Sequence, residues 1–227
     1  HLMTHAFFKA LLFLSAGSVI IACHHEQNIF KMGGLRKSIP LVYAAFLIGG
    51  SALAALPFVT AGFFSKDEIL FAAYQGGYSG LLLSGLVGAF LTSLYTFRLI
   101  FIVFHGESKL QAHPGHGLSH HLPLLVLMLL STFVGALITP PLASVFPAVN
   151  ESHDGKLLIE LLSATIAIAG IALSAFLFLG ERKLVSKLAN SPIGKPLSVL
   201  WFNAWGFDWL YHHLLVMPYQ AIAQLLK

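Results

Sequence analysis

Residues 40–76 read PLVYAAFLIGGSALAALPFVTAGFFSKDEILFAAYQG, and the number of times this stretch crosses a bilayer decides the fold. A helix needs roughly twenty apolar residues to cross the hydrocarbon core. This run spans 37 residues and is interrupted at Pro57 and Gly62. It is either two spans or one broken span. Loop charge separates the two readings, because basic loops gather on one side of a membrane. With one crossing, Lys31, Arg36 and Lys37 fall on the same side as Lys109 and as Arg182, Lys183, Lys187 and Lys195. The other side receives the uncharged 77–79 and the stretch 147–156, where Lys156 faces Glu151 and Asp154. Two crossings would set the first basic loop against the basic tail. The single crossing fits.

A single helix of that length would run about 55 Å, too long for one straight span. Something in its middle must be unwound. Pro57 removes a backbone donor and disfavours helix at Leu56. Gly62 tolerates a non-helical backbone. Ser65-Lys66-Asp67-Glu68 has the form of a capping box, which predicts a new helix starting at Ser65 close to mid-membrane. Unwound backbone at that depth must be buried in protein or line a hydrated cavity. Discontinuous helices of this kind mark ion and substrate sites in transporters.

Working outward, further apolar stretches lie at 1–22, 80–104, 123–146 and 157–180. Hydrophobic residues make up 57% of the 227-residue chain and charged residues 10%, with a mean hydropathy of +0.81. That composition cannot cover a water-facing surface. The runs do not alternate as barrel strands would. The fold class is therefore all-α, a polytopic transmembrane helix bundle with one discontinuous helix. It divides into 1–76 (proton-path and broken helices), 77–180 (three further spans with a His-rich loop at 105–122) and 181–227. Cys23 is the sole cysteine, which leaves no disulfide framework or iron–sulfur cluster to this chain. The net charge of +4 sits mostly in loops and reports topology; nothing in the chain points to nucleic acid or to a bound cofactor. The opening His1 to Lys9 has no initiator or charged leader, and both ends read as truncations.

Ionisable residues inside apolar spans are proton-path candidates by default. His1, His5 and Lys9 recur at helical spacing and share one face of the first helix. Adjacent rungs lie about 6 Å apart along the axis, so water must bridge them. The plain alternative leaves the histidines in water and Lys9 snorkelling. Lys66, at the first turn of the internal helix, is either an interfacial lysine beside Asp67 and Glu68 or a buried one. A buried lysine balanced between desolvation and acidic neighbours can load and release a proton. Arg98 either snorkels or pairs with an acid inside the bundle, for which Asp67 is the nearest candidate. His105, His113, His116, His120 and His121 lack the carboxylate or cysteine that completes a metal site. Glu160 suits both the interface and the helix dipole and needs no function. In 198–227, Trp201, Trp205 and Trp209 fall on one stripe among polar residues. That pattern predicts an interfacial lateral helix, bent or broken at Pro218.

Pro57 to Glu68 resembles the broken-helix motif of the antiporter-like subunits of respiratory complex I, NADH:quinone oxidoreductase. His1 to Leu14 is similar to the histidine- and lysine-bearing helix before it. Together they resemble the distal member, called subunit L in bacteria and subunit 5 in mitochondria, most like its enterobacterial versions and covering the C-terminal part. The resemblance implies proton translocation. Lys66 would be the lysine of the broken helix, Lys9, His5 and His1 the central hydrophilic axis, and Asp67 the acidic neighbour. It implies that 198–227 begins a long lateral helix and that redox chemistry and cofactors reside on other subunits. It also implies other membrane-arm subunits and the lipid bilayer as partners, in a bacterial inner membrane with basic loops cytoplasmic. Subunits of multisubunit sodium/proton antiporters share the motif, and a structural clamp without its own proton path is a further reading.

Overall fold

The structure, a computed structural model, describes residues 1–113, 115, 117–138 and 154–225. The end of the fourth apolar stretch, Glu151 and His116 lie outside the described residues. The described chain is all-helical, and its one strand-like feature is an isolated bridge. Helices α1 (Leu2–Ala22), α2 (Pro40–Ala54), α3 (Ala61–Gln75), α4 (Ser79–Phe104), α5 (Leu118–Leu130), α6 (Phe133–Ala136) and α7 (Lys156–Phe178) form one compact unit, 1–180. Helices α1, α4 and α7 are long and apolar enough to cross a membrane.

Helices α2 and α3 lie end to end along α4. The Tyr43 hydroxyl meets His105 Nε2 at 3.1 Å, Gly50 packs on Thr96 and Ile100, and Leu70 and Phe71 cluster with Leu86 and Ile159. Position along α2–α3 therefore falls steadily along α4 in the antiparallel sense. Residues 40–75 traverse the bundle once, as loop charge required. Small residues make the approach possible: a methyl at Gly50 would stand 2.8 Å from the Ile100 side chain.

The internal helix does not begin at Ser65. It begins at Ala61, behind Thr60, and Ser65 is a residue of its second turn whose Oγ donates back to Ala61 O and Gly62 O. There is no capping box, and Glu68 is exposed. The interruption is made earlier, where Ala55 (φ 59°) and Phe58 (φ 63°) take left-handed conformations on either side of Pro57. Leu56 N–H returns to Ser51 O, closing α2 with a left-handed turn. Gly62 is needed for closeness rather than for its dihedrals, since a Cβ there would lie 1.9 Å from Ala52 O.

A second interruption, unforeseen in the sequence, separates α5 from α6 and meets the first. Ala61 N–H donates to Ser131 O (3.1 Å) and Phe133 N–H to Val59 O (3.0 Å), framing an antiparallel bridge between Thr60 and Thr132. Each break supplies the partners that the other lacks, which is what an apolar surrounding demands of non-helical backbone. The signal was Ser131-Thr132 with Gly135 inside an apolar run.

The loops 23–39 and 105–113 pack together at one end of this unit. Gly34 and Arg36 N–H donate to His105 O and Phe104 O, and Lys109 Nζ reaches Phe30 O at 2.9 Å. Helix α7 finishes at the same end, where Arg98 lies over the Phe30 and Phe178 rings at 5.8 and 5.4 Å. Arg98 is thus a cation clasped by aromatics. It is not Asp67's partner. Asp67 sits beside Ser163, and fifteen residues of α7, about 22 Å, separate Ser163 from Phe178. The opposite end gathers 76–78 and 154–155, with Gly155 against the Tyr74 ring. The basic loops thus share an end, as the single crossing requires.

Residues 181–225 form a separate unit of short helices, α8 (Lys183–Ala189), α9 (Gly194–Phe202), α10 (Phe207–Tyr211) and α11 (Met217–Leu225). The continuous stripe of three indoles does not form. Ala204 and Trp205 adopt φ of 49° and 58°, so the helix breaks at Asn203–Gly206 and not at Pro218. Pro218 lies inside an unbroken helical run, 207–225, where its missing N–H is accommodated by a wide π turn over His212–Val216 just before it. The Trp209 and His213 rings lie tilted against each other, with centroids 4.3 Å apart. Trp201, Phe202, Trp205 and Tyr219 are exposed.

Candidate functional site

The sequence placed five residues in a proton path, and the structure distributes them over two neighbouring environments. The first is the start of α3. His1 Nδ1 lies 2.9 Å from Ser65 Oγ, and Thr4 Oγ1 lies 3.0 Å from the same oxygen. Ser65 precedes Lys66, so the histidine end of α1 meets the interrupted helix next to its lysine. The His1 and His5 rings stand 5.8 Å apart, with Phe8 edge-on to His5 at 5.2 Å. Their i, i+4 spacing on α1 brings them onto one face. His1 is exposed, while His5 and Lys66 are half-buried.

Asp67 follows Lys66 but turns to a different neighbour. Consecutive helical residues point about 100° apart. Asp67 is buried against α7, where Ser163 Oγ donates to its Oδ1 at 2.6 Å. Its Oδ2 is buried without a protein partner. Ser163 was not singled out from the sequence, because a serine in an apolar span reads as helix packing until its partner is known. Thr4 was missed for the same reason.

The second environment is a cleft of about 340 Å³ between α1, α2 and α4. Lys9 and Arg98 border it together with Phe13, Phe46, Tyr95 and Thr96. Lys66 does not. Lys9 is eight residues from His1, about 12 Å along the axis, so the shared face predicted for His1, His5 and Lys9 spans both environments. The Thr96 hydroxyl is buried and has no protein partner.

Residues 1–92 match the family described as NADH:quinone oxidoreductase/Mrp antiporter, transmembrane. Across its full length the chain is 66% identical to NADH-quinone oxidoreductase subunit L of Pseudomonas aeruginosa and 64% identical to that of Escherichia coli K12. The chain belongs to this antiporter family. It spans 37% of the length of each of those two relatives. A Rickettsia bellii subunit L is 39% identical over 98% of the chain. The resemblance is therefore not confined to enterobacteria. The matched 92 residues of this antiporter-family chain hold α1, α2, α3 and the start of α4, so both environments draw on the region that defines the family.

Outside the spans, the His-rich loop serves the basic end. His113 N–H donates to Ala22 O, and its ring meets that of His24 at 5.3 Å. Burial and the nearby Arg36 guanidinium hold His105 below its ordinary value of 6.5. A neutral His105 is what the Tyr43 hydroxyl meets. Cys23 is buried, and burial with the nearby Glu26 carboxylate pushes its thiol up, so it behaves as a small apolar residue.

Proposed function

We propose that this chain is part of a membrane-arm subunit of proton-pumping NADH:quinone oxidoreductase and carries protons through buried lysine and histidine side chains. The observation that carries this reading is the convergence of His1 and Thr4 of α1 on Ser65, beside Lys66 in the interrupted helix. Hydroxyl and imidazole groups in contact are relay groups, since each both donates and accepts. Lys66 is the loading site. His1, His5 and Lys9 form the approach along α1, with water spanning the rungs, and Asp67 is the acidic neighbour that stabilises the charged lysine. The chain acts as an enzyme only as a subunit of the larger complex. Cofactors and redox centres belong to other subunits.

Further parts of the same proposal concern surroundings. The partners are other membrane-arm subunits, foremost the adjacent antiporter-like one, and the lipid bilayer. The basic end faces the cytoplasm of a bacterial inner membrane, because Lys31, Arg36, Lys37 and Lys109 collect there.

The test is Lys66→Ala in the full-length protein, with assembly followed on native gels and proton uptake followed in inverted membrane vesicles supplied with NADH. Intact assembly with impaired uptake supports the proposal. Lost assembly with normal uptake per assembled complex points to a structural clamp. Uptake that stops when sodium is omitted from the wild type points to cation/proton exchange.

A further inference from the structure

The proposed path explains how a proton reaches Lys66 and leaves open where it goes. Helix α7 holds the groups that answer this. Asp67 and Ser163 are 4% and 2% exposed, and the 2.6 Å hydrogen bond between them is a buried tether from α3 to α7. Burying a carboxylate is costly unless its oxygens are satisfied. Here Ser163 satisfies Oδ1 alone, and Oδ2 has no protein partner. An oxygen in that position is suited to hold a proton.

Glu160 stands three residues before Ser163 on α7, so both project from one face of that helix. Glu160 is close enough to Asp67 for their charges to interact. It is half-buried in the second turn of α7, toward the end where 76–78 and 154–155 gather, away from the basic loops. The order Lys66, Asp67, Glu160 therefore runs from the middle of the unit to its charge-poor end. The apolar residues around it, Leu70, Phe71, Leu86 and Ile159, form a buried cluster that confines the route to these groups.

We infer that Ser163 is a positioning residue for Asp67 and that Glu160 is the next proton carrier, so that α7 supplies the exit limb of the path. The inference rests on the proton-carrying role proposed for Lys66. In the first step an N–H bond of the Lys66 ammonium breaks and, through a bridging water, an O–H bond forms at Asp67 Oδ2. A neutral amine and a carboxylic acid remain. In the second step the acid passes its proton through water to the Glu160 carboxylate, and Asp67 returns to its anion. Ser163 gives up no proton. Its hydroxyl keeps Oδ1 occupied and aims Oδ2.

The experiment uses the full-length protein in its assembled complex, with the variants Ser163→Ala, Ser163→Thr, Glu160→Gln and Lys66→Ala. Proton uptake per NADH oxidised is measured in vesicles. Infrared difference spectra follow the protonated carboxyl band, assigned to Asp67 by its loss in Asp67→Asn. Ser163→Ala is expected to shift that band and to slow the proton flux through this subunit roughly tenfold, the value of one hydrogen bond to a charged group. Ser163→Thr, which keeps the hydroxyl, restores both, and Glu160→Gln slows uptake without moving the Asp67 band. Wild-type uptake and an unmoved band in Ser163→Ala overturn the inference, as does wild-type uptake in Glu160→Gln. If those results occur while Lys66→Ala abolishes uptake, the exit limb alone is wrong. If Lys66→Ala also pumps normally, the proposed function falls first and the exit limb with it.

Discussion

Thr60 and Thr132 form an antiparallel bridge at the place where two helices are interrupted side by side. The bridge is flanked by Ala61 N–H to Ser131 O and by Phe133 N–H to Val59 O. Two gaps in helical hydrogen bonding become one patch of paired backbone. The position of Lys66 follows from it, because α3 starts where the bridge lets it start.

Ala61 tests this pairing. It is the first residue of α3, preceded by Thr60 in extended backbone (φ −113°, ψ 145°), which suits a proline at 61. Ala61→Pro removes the N–H that reaches Ser131. The expected loss is about 1–3 kcal/mol for an unsatisfied buried carbonyl, read as a lower thermal midpoint of the detergent-purified full-length protein.

Gly62 and Gly17 make a matched pair. A Cβ at Gly62 would stand 1.9 Å from Ala52 O, whereas nothing lies within 4 Å of one at Gly17. Gly62→Ala must push α2 and α3 apart at a backbone contact and is expected to destabilise by about 3 kcal/mol or more. Gly17→Ala should be neutral or gain up to about 1 kcal/mol from helix propensity. Equal melting temperatures for the two variants would contradict the close approach.

The Tyr43–His105 contact predicts a pH dependence with a definite sign. His105 is held below 6.5 by burial first and by Arg36 second. Above 6.5 it is neutral in both folded and unfolded chains, and the contact is unaffected. As pH falls below 6.5 the unfolded chain takes up a proton that the folded chain resists, so stability is lost down to the folded value. Melting temperature against pH should show this decline in wild type and not in His105→Phe. Arg36→Gln should move the decline's lower limit upward and make it shallower.

Arg98 between Phe30 and Phe178 predicts a planar preference. Arg98→Lys keeps the charge and loses the stacked guanidinium, at an expected cost of about 0.5–1 kcal/mol. A double-mutant cycle with Phe178→Leu should return a coupling of similar size. Strict additivity would remove the ring from the account.

Much of this was legible in the chain. Loop charges required residues 40–76 to pass the bundle once, and the contacts of Tyr43, Gly50 and Leu70 along α4 have that geometry. Pro57 located the interruption, since a missing N–H is a local property. The wrong details were those in which one pattern has two physical uses. Ser65 and Glu68 have the spacing of a cap, yet Ser65 sits inside a helix and binds α1, because Ser131 supplies the partner for the first N–H of α3. Gly62 looked like a hinge and is a contact point. The tryptophan spacing assumed an unbroken helix, which the left-handed Trp205 interrupts.

The sequence by itself determined a helical membrane bundle, one broken crossing and the residues able to carry charge inside it. Hydropathy, proline chemistry and loop charge act along the chain and need no partner. Only the tertiary structure decided that a second break completes the first, that Arg98 is held by aromatics rather than by Asp67, and that Asp67 turns to Ser163 on α7. Those outcomes depend on which buried donor finds which acceptor across helices far apart in sequence, and the chain's order does not encode that directly.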